Sequence, residues 1–373
     1  MLWCCCKTLL VKRFILEIGR LKERVTIHAV AAVAGVSIGT VSNVFNNHHD
    51  RAAAKTRDTV LRVATELGYR PNRIAMSLVT RRTATIGLIV SEITNPLYPP
   101  VIEGVERQAK AAGWHVILST ADDVPAQIEA AEFLLDRNVD GLIVFATSQL
   151  ADDRYLSDLA ANGIPVVTIN RVIDDPHIGQ VRFDNRGGAA TVVEHLINLG
   201  HTRIAHIAGP RTRLNALLRL EGYRAMLDHY QLPVYEGYVQ VSDYSFASGV
   251  PLTQALLACS PTPTAIFVAS GEVALGALRA LHAAGLRVPE DISLATFGNP
   301  EFLSYCTPTI TTVTLPVVEA GARAAQLVID HMDSHQDNAP PLITLPADLV
   351  IGASTAPPPQ ERVQTPCAQG ATR

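Results

Sequence analysis

The spacing of apolar residues changes near Thr85. Before that point apolar residues recur at helical intervals, which predicts three short helices at 27–34, 38–45 and 55–67. Gly35 and Gly68 are placed to end the first and third helices. Thr26 and Ser37 are placed to cap the first and second. Three such helices can enclose one small core.

After Thr85, short runs that are apolar throughout alternate with amphipathic segments. The predicted strands are 86–90, 116–118, 141–145, 165–169, 204–208, 265–269 and 292–297. The predicted helices are 98–112, 126–137, 185–199, 219–230, 246–258, 272–284 and 316–332. Such strands indicate parallel sheets covered by helices on both faces. Because about ten such units exceed one open sheet, we predict two similar α/β lobes with a ligand between them, at the carboxyl ends of the strands.

The two patterns are joined by a segment in which residues 72–78 are long enough for two helical turns, ahead of the basic pair Arg81-Arg82. The end of the chain is rich in Pro and Gln, which is typical of a loose segment. We therefore predict five parts: an extension at 1–24, a helical domain at 25–71, a hinge at 72–84, a two-lobed domain at 85–356 and a flexible tail at 357–373.

Charge is divided unequally along the chain. The 373 residues carry a net charge of −4, with 31 Lys+Arg and 35 Asp+Glu. Residues 1–82 hold 14 Lys+Arg and 5 Asp+Glu, which leaves 17 and 30 for the remainder. A basic amino-terminal part on an acidic body favours a polyanionic partner, the alternative being a solvated charged tail.

Cysteine usage and hydropathy exclude several classes of protein. The 6 Cys comprise three adjacent residues and three isolated ones, with no C-x-x-C pair, so we expect no disulfide framework, no metal site and no cofactor. The apolar stretch at 9–18 is too short for a bilayer and is broken by Lys12 and Arg13. We expect a cytoplasmic protein that does not contact membranes.

Residues 35–39 match G-x-S-x-G, the nucleophile elbow of hydrolases. That motif requires a strand before it and a helix after it, whereas here a helix precedes it. The turn of a helix-turn-helix explains the same residues, because Gly35 ends one helix and Ser37 caps the next. In such a motif the second helix enters the major groove of DNA.

The second helix offers a surface suited to DNA: Ser37, Ile38, Gly39, Thr40, Ser42 and Asn43. Hydroxyl groups suit phosphate oxygens, and an asparagine amide can pair with adenine. A small helical bundle that binds protein would use the same residue types, so this alternative stays open.

A larger set of motifs extends through residues 25–356 at consistent spacing. They are AGVS at 34–37, TVSNVFN at 40–46, LGYRPN at 67–72, IGLI at 86–89, VDGLI at 139–143, LGHTRIA at 199–205 and VPEDIS at 288–293. Together they resemble the LacI/GalR family of bacterial transcription regulators. The resemblance implies an all-α helix-turn-helix domain with a hinge helix, followed by a two-lobed α/β effector domain like the periplasmic binding proteins.

The resemblance also implies a homodimer that binds double-stranded operator DNA. The implied DNA contacts are Thr26, Ser37, Ile38, Gly39, Thr40, Ser42, Asn43, Asn46, Arg57, Tyr69, Asn72, Arg73 and Leu78. Leu78 would wedge into the minor groove at the operator centre. Asn43 stands where family members often carry Arg, and Ile38 and Gly39 offer no donors. We therefore expect readout through Thr40, Asn43, methyl contacts and DNA shape.

The implied effector contacts are Asn95, Tyr98, Asn170, Arg219, Ser270, Phe297 and Asn299. Two departures stand out: Ser270-Gly271 replaces an Asn-Asp pair, and Gly298-Asn299 replaces Asp-Asp. A pocket that keeps Arg219 and loses carboxylates favours an anionic effector such as a sugar acid. The alternative is a neutral polyol held by Asn170, Ser270 and Asn299.

We therefore predict a sequence-specific DNA-binding regulator, a repressor without enzymatic activity, whose operator affinity is controlled by a sugar or sugar acid. The alternative is an α/β sugar-binding protein or enzyme whose amino-terminal helices bind a protein partner. Residues 1–24 have no counterpart in the family, and are either a basic arm or the product of a wrongly assigned start codon.

Overall fold

The computed structural model describes residues 25–45, 52–69, 82–145, 153–334 and 341–359. The chain divides into two compact units, Met1–Thr83 and Ala84–Arg373. Several predictions fall outside the described residues: the extension 1–24, the helical turns at 72–78, most of the tail, and the sites Asn46, Asn72, Arg73 and Leu78. These stay predictions.

The described residues of the first unit form three helices: α1 (Ile27–Ala34), α2 (Ile38–Phe45) and α3 (Ala54–Leu67). Their predicted positions are confirmed. Gly35 and Gly68, each at φ 67°, end α1 and α3 in the left-handed region, where glycine carries no Cβ penalty. Val30, Val41 and Val60 are fully buried at the centre of the small core that the three helices share.

In the second unit, the described ranges contain eight α-helices and two sheets. The helices are α4 (Tyr98–Ala111), α5 (Val124–Leu135), α6 (Arg154–Ala161), α7 (Asn185–Asn198), α8 (Leu214–His229), α9 (Gly249–Leu257), α10 (Gly271–Ala283) and α11 (Val317–Ser334). A 3-10 helix covers Glu301–Tyr305. The strands are β1 (Thr85–Val90), β2 (His115–Thr120), β3 (Gly141–Phe145), β4 (Val166–Ile169), β5 (Ile178–Phe183), β6 (Ile204–Ala208), β7 (Val239–Val241), β8 (Ala265–Val268), β9 (Ser293–Phe297), β10 (Thr311–Thr314), β11 (Leu342–Leu345) and β12 (Asp348–Val350).

Each lobe is built on a six-stranded sheet. The first has the strand order β11-β5-β4-β3-β1-β2 and the second β12-β10-β9-β8-β6-β7. All pairs are parallel except β10 with β12. The predicted pair of parallel α/β lobes is confirmed. Both central strands β3 and β9 are buried along their whole length, as expected for sheets with helices on both faces.

The chain passes from one lobe to the other three times: after β5, after β10 and after β11. These crossings lie where the carboxyl ends of the strands of both sheets converge. Asn170 follows β4, Ser270 follows β8, and Asn299 follows β9. The topology therefore gathers loop residues from distant parts of the sequence at one edge of each sheet.

Several elements were not predicted, namely α6, β5, β7, β10, β11 and β12. Their sequences explain why. β5 carries Gln180 and Arg182, and β10 carries three threonines, so neither is an apolar run. The helix predicted at 219–230 begins at Leu214, one turn earlier, because Arg213 is the extended residue that precedes it.

Glycines let two pairs of helices, α4 with α11 and α7 with α8, pack at backbone contact. A Cβ on Gly321 of α11 would lie 2.2 Å from the carbonyl oxygen of Val101 in α4, and one on Gly104 would lie 2.0 Å from that of Val318. Gly222 brings α8 equally close to Arg186 at the start of α7. These glycines fix how close the helices lie beside the sheets.

No single described helix is long and apolar enough to span a membrane, and α1 and α2 pass that test only as a pair bent by 108°. Among the same described residues, no group of three His, Cys, Asp or Glu side chains is arranged to hold a metal ion.

Candidate functional site

The first candidate site is the helix-turn-helix formed by α1 and α2, which meet at 108°. Gly35 makes the turn, and Ser37 then caps α2. The Ser37 Oγ accepts a hydrogen bond from the Thr40 backbone N–H at 3.1 Å, and the two side-chain oxygens lie 2.9 Å apart. The cap fixes the start of α2, which is the end that reaches base edges in such motifs.

The predicted DNA contacts lie on the face of α2 that the core leaves uncovered. Ser37, Ile38 and Gly39 are exposed, and Ile38 shows 41% of its surface to solvent. Thr40, Ser42 and Asn43 are half-buried beside them, while Val41 and Val44 point into the core. The exposed start of α2 therefore presents hydroxyl and methyl groups, and the half-buried Asn43 adds an amide about one turn further along.

The other predicted contacts in this unit have additional structural roles. Thr26 caps α1, its Oγ1 accepting from the Ala29 N–H at 3.4 Å. Tyr69 packs edge-on against Phe45 with ring centroids 5.4 Å apart, and burial raises the pKa of its hydroxyl. Arg57 is half-buried on α3.

The second candidate site is a cleft of about 770 Å³ at the carboxyl ends of the strands. Its volume is in the range typical of small-molecule sites. All seven predicted effector residues line it: Asn95, Tyr98, Asn170, Arg219, Ser270, Phe297 and Asn299.

A hydrogen-bonded chain of side chains crosses the cleft wall. The Asn185 Nδ2 donates to the Asn170 Oδ1 at 2.9 Å and to the Phe183 carbonyl at 3.2 Å. The Asn185 Oδ1 accepts from the Arg219 Nε at 2.9 Å. The backbone of Asn170 adopts φ 54°, so this residue is held in a sparsely populated conformation at the site.

Arg219 is buried, with 5% of its surface exposed. Its Nη1 donates to the Ala269 carbonyl at 2.5 Å, and its guanidinium lies 3.9 Å from the Phe297 ring centroid. No ion pair joins it to a carboxylate within the described ranges. Burial lowers its pKa, and Tyr244 and Glu272 oppose that shift. The hydrogen-bond partners of this buried cation in the described part of the chain are therefore neutral groups, while Glu272 acts on it through its charge.

The polar oxygens of the remaining loops are occupied by backbone donors. The Asn95 Oδ1 accepts from the Leu97 N–H at 3.0 Å, and the Asn299 Oδ1 accepts from the Leu315 N–H at 3.0 Å. The Ser270 Oγ caps α10 by accepting from the Val273 N–H at 3.4 Å. These bonds fix the loops after β1, β8 and β9.

The two predicted aromatic residues, Tyr98 and Phe297, line the cleft and also pack in the core. Tyr98 is 3% exposed and stands 4.9 Å from the Phe145 ring centroid. Phe297 is 1% exposed beneath Arg219. Both are largely core residues that present part of a ring to the cleft.

The polar lining residues that sequence reasoning missed include Arg213, Asn215, Tyr244, Glu272, Glu301 and Glu319. Glu272 changes the interpretation, because the pocket was predicted to have lost its carboxylates. Burial raises the pKa of Glu272, opposed by its own backbone N–H, by Ser270 and by Arg219. The sequence signal that could have identified Glu272 as a lining residue is its position two residues after Ser270, at the start of a helix that follows a strand.

A helix-turn-helix unit together with a two-lobed α/β unit and its polar cleft defines the class of ligand-responsive DNA-binding regulators. Known families match both units. The family of bacterial regulatory proteins of the lacI type matches residues 26–72, and the periplasmic binding protein-like domain matches residues 193–355.

Individual relatives match along most of the chain. The regulator CelR of Thermobifida fusca is 34% identical over 340 residues, covering 89% of this chain and 99% of CelR. Catabolite control protein A of Priestia megaterium is 32% identical, and the match covers 89% of this chain and 99% of the relative. The ribose operon repressor of Escherichia coli K12 is 33% identical, covering 82% and 92%. The chain belongs to the LacI family of transcriptional regulators.

Solved structures agree. The lac repressor dimer bound to operator and the anti-inducer ONPF superimposes with a TM-score of 0.79 at 31% identity, covering 90% of this chain and all of the other. A complex of CelR with cellobiose gives a TM-score of 0.67 at 33% identity, covering 89% and 100%. A LacI family regulator from Enterococcus faecium with bound ribose gives a TM-score of 0.65 at 30% identity, and the match covers 73% of this chain and 99% of the other.

Proposed function

We propose that the chain acts as a homodimeric repressor that binds operator DNA and whose operator affinity is set by a small sugar-like molecule in the cleft. The observation that carries the proposal is the uncovered start of α2, which offers hydroxyl and methyl groups, with the Asn43 amide about one turn further along, while Val41 and Val44 are buried in the core. This is the geometry by which a recognition helix reads the major groove.

The relatives support each part of this proposal. The lac repressor structure contains a dimer on operator DNA, and other relatives contain cellobiose or ribose. A two-fold dimer would read two half-sites related by symmetry. The relatives are regulators, and we assign the cleft to binding without catalysis.

The proposal assigns DNA contact to 25–71 and the hinge to 72–84, with 85–356 responsible for effector binding and dimerisation. Thr26, Arg57 and Tyr69 join the α2 residues as phosphate or base contacts. Asn46, Asn72, Arg73 and Leu78 are included on the resemblance alone, with Leu78 as the minor-groove wedge.

The proposal is tested by selecting bound fragments from the host's genomic DNA with the purified full chain at physiological salt. We expect a short pseudo-palindrome with a flexible central step. Asn43→Ala should relax the preference at one symmetric position by about 1–3 kcal/mol. Thr65→Ala, which removes an exposed hydroxyl from α3, is the matched control and should leave the recovered sequence unchanged. Bound fragments without a common sequence would contradict the proposal.

A further inference from the structure

We propose that Arg171 is a positioning residue of the cleft: together with Gln127 and Asp153, it holds Asn170 in the backbone conformation that places the Asn170 side chain at the cleft. The inference rests on the proposed role of the cleft as the effector site. It is carried by a buried cluster of three polar side chains that lies beside the cleft without lining it.

Two neighbouring residues after β4 send their side chains into separate cavities. Asn170 lines the cleft, whereas Arg171 lines a small cavity between the first sheet and helices α5 and α6. Arg171 is buried, with 3% of its surface exposed. Because the two residues share a peptide bond, a contact that fixes Arg171 also restricts the residue that offers its amide to the cleft.

The backbone of Asn170 is held in a sparsely populated conformation, with φ at 54°. Such conformations persist where the surrounding contacts fix them. The Asn170 N–H donates to the Val181 carbonyl at 2.7 Å, and its Oδ1 accepts from the Asn185 Nδ2 at 2.9 Å. These bonds fix the residue from its amino side and through its side chain, so the remaining anchor must come from the residues that follow.

The chain is fixed again three residues later. The Ile173 N–H donates to the Gln180 Oε1 at 3.1 Å, and the Ile173 carbonyl accepts from the Gln180 Nε2 at 2.7 Å. Of the two residues between Asn170 and Ile173, Val172 is 41% exposed, whereas Arg171 extends a buried side chain into the lobe. Arg171 is therefore the residue placed to fix the carboxyl side of Asn170.

The Arg171 guanidinium joins this loop to two helices. Its Nη1 donates to the Gln127 Oε1 of α5 at 2.8 Å, and its Nη2 forms an ion pair with Asp153, the residue directly before α6. Burial lowers the pKa of Arg171 to about 10, so the side chain remains charged at neutral pH. The planar guanidinium gives these bonds fixed directions, which suits it to hold one conformation of the loop.

The cluster is not arranged for stability alone. The Arg171 Nε and the Gln127 Nε2 are buried without a hydrogen-bond partner among the described residues. Unpartnered buried polar atoms cost stability, and apolar side chains of similar volume often stabilise a protein as well as a buried ion pair does. What the cluster supplies in addition is a fixed conformation, next to a residue of the cleft that requires one.

The test begins with a variant in which all three side chains are apolar: Gln127→Leu, Asp153→Leu and Arg171→Met together, called the apolar variant below. Removing both charges leaves neither of them buried alone, which is the change that unfolds proteins. A second variant, Arg171→Lys, keeps the charge beside Asp153 and loses the planar fork that also reaches Gln127. It provides the same comparison with a smaller change to the core.

The first measurement is a cycle of urea denaturation, which requires no ligand. In the unaltered chain, Asn170→Ala should lower the urea midpoint, because it removes the bond to Asn185 and places alanine at φ 54°. In the apolar variant and in Arg171→Lys, the same change should lower the midpoint by about half as much or less, since the loop no longer holds residue 170 in that conformation.

The matched control for the cycle is Asn162→Ala, an exposed asparagine at the end of α6 in the same lobe. Its effect on the urea midpoint should be equal in all three backgrounds, as for independent sites. An Asn170→Ala shift that is also equal in all three backgrounds would overturn the inference, because Arg171 would then act on the lobe without acting on Asn170.

The second measurement is calorimetric titration of the full chain with cellobiose and with D-ribose, the sugars present in the structures of two relatives. A sugar that binds the unaltered chain should bind the apolar variant about tenfold or more weakly, which is about the contribution of one hydrogen bond. In a chain that already carries Asn170→Ala, the three apolar changes should weaken binding by less than about twofold.

Arg287→Met is the control for the titration, because it breaks the exposed ion pair with Asp291 in the other lobe. It should leave the affinity for the sugar unchanged. The inference would be refuted by an apolar variant that binds the sugar as tightly as the unaltered chain, or by a tenfold loss that persists when the Asn170 side chain is absent.

Operator binding is measured on the same preparations. A chain that binds its operator but shows independent effects of Arg171 and Asn170 would refute the positioning role alone. A chain in which the two residues are coupled but which binds no specific DNA would refute the proposed function and leave the coupling standing.

Discussion

At the scale of single residues, Arg219 is held by groups from separate elements of the effector unit. Asn185 at the start of α7 accepts from its Nε, the carbonyl after β8 accepts from its Nη1, and the Phe297 ring of β9 lies under its guanidinium. Asn185 is also the link to Asn170. The proposed binding of a ligand by Arg219 would therefore depend on Asn185, which does not itself line the cleft.

We expect Asn185→Ala to destabilise the effector unit by about 1–3 kcal/mol, because it leaves both Arg219 Nε and Asn170 Oδ1 without their partners. Ligand affinity should fall with it. Urea denaturation and calorimetry measure the two effects. Asn162→Ala, which removes an exposed amide at the end of α6, should change stability by less than about 0.5 kcal/mol; equal costs for the two variants would contradict the assignment.

His206 predicts a pH dependence of stability. It is stacked between Tyr223 and Phe267, and burial lowers its pKa to about 3, with Arg219 and Arg224 acting in the same direction. Below pH 6.5, the ordinary pKa of histidine, His206 is protonated in the unfolded chain but remains neutral in the folded chain. Stability should therefore fall between pH 6.5 and about pH 3, by up to ~1.4 kcal/mol per pH unit for this group.

The check is the pH dependence of denaturation in His206→Phe, which keeps a ring in the stack. We expect a shallower decline below pH 6.5 than in the unaltered chain. The exposed His282→Gln serves as the control, and its decline should match that of the unaltered chain. A His206→Phe profile parallel to the unaltered one would show that His206 does not carry the effect.

At the scale of elements, the helix pairs beside the sheets are set by glycines. Gly321 of α11 lies against the Val101 carbonyl of α4, and any side chain at this position would overlap that carbonyl oxygen. We expect Gly321→Val to destabilise the effector unit by about 1–3 kcal/mol or more, as overpacking does. Ala111→Val on the exposed end of α4 should lie within about 0.5 kcal/mol of the unaltered chain. Thermal unfolding measures both, and similar melting temperatures would contradict the packing account.

The elements also show how far the sequence predicts the fold. α2 and β3 were predictable because their apolar spacing follows one period along the whole element. β5 and β10 were not, since their polar residues are satisfied by partners that only the folded chain provides: the Gln180 side chain bonds the Ile173 backbone, and the Thr312 Oγ1 donates to the Gly298 carbonyl.

The same limit applies to the cleft. Arg219 and Asn170 were predicted as lining residues from a family resemblance. The partner Asn185 and the acid Glu272 were not, because hydrogen bonds between loops that follow different strands leave no periodic trace in the sequence.

At the scale of the whole molecule, the basic amino-terminal part and the acidic body predict different responses to salt. The logarithm of the operator association constant should fall linearly with the logarithm of the salt concentration, with a slope of about −0.9 for each phosphate contacted. The affinity of the cleft for a neutral compound should be nearly independent of salt concentration. Fluorescence anisotropy and calorimetry over the same salt series compare the two, and a salt-independent DNA affinity would exclude phosphate contacts as its source.

The central claim is that the cleft controls operator binding. The direct measurement is titration of one operator fragment with the full chain, alone and with each compound that calorimetry shows to be bound. We expect operator affinity to change by a factor of about 5–150, and the affinity of the compound to change by the same factor when operator is present. Operator affinity that is unchanged when the cleft is saturated would contradict the account.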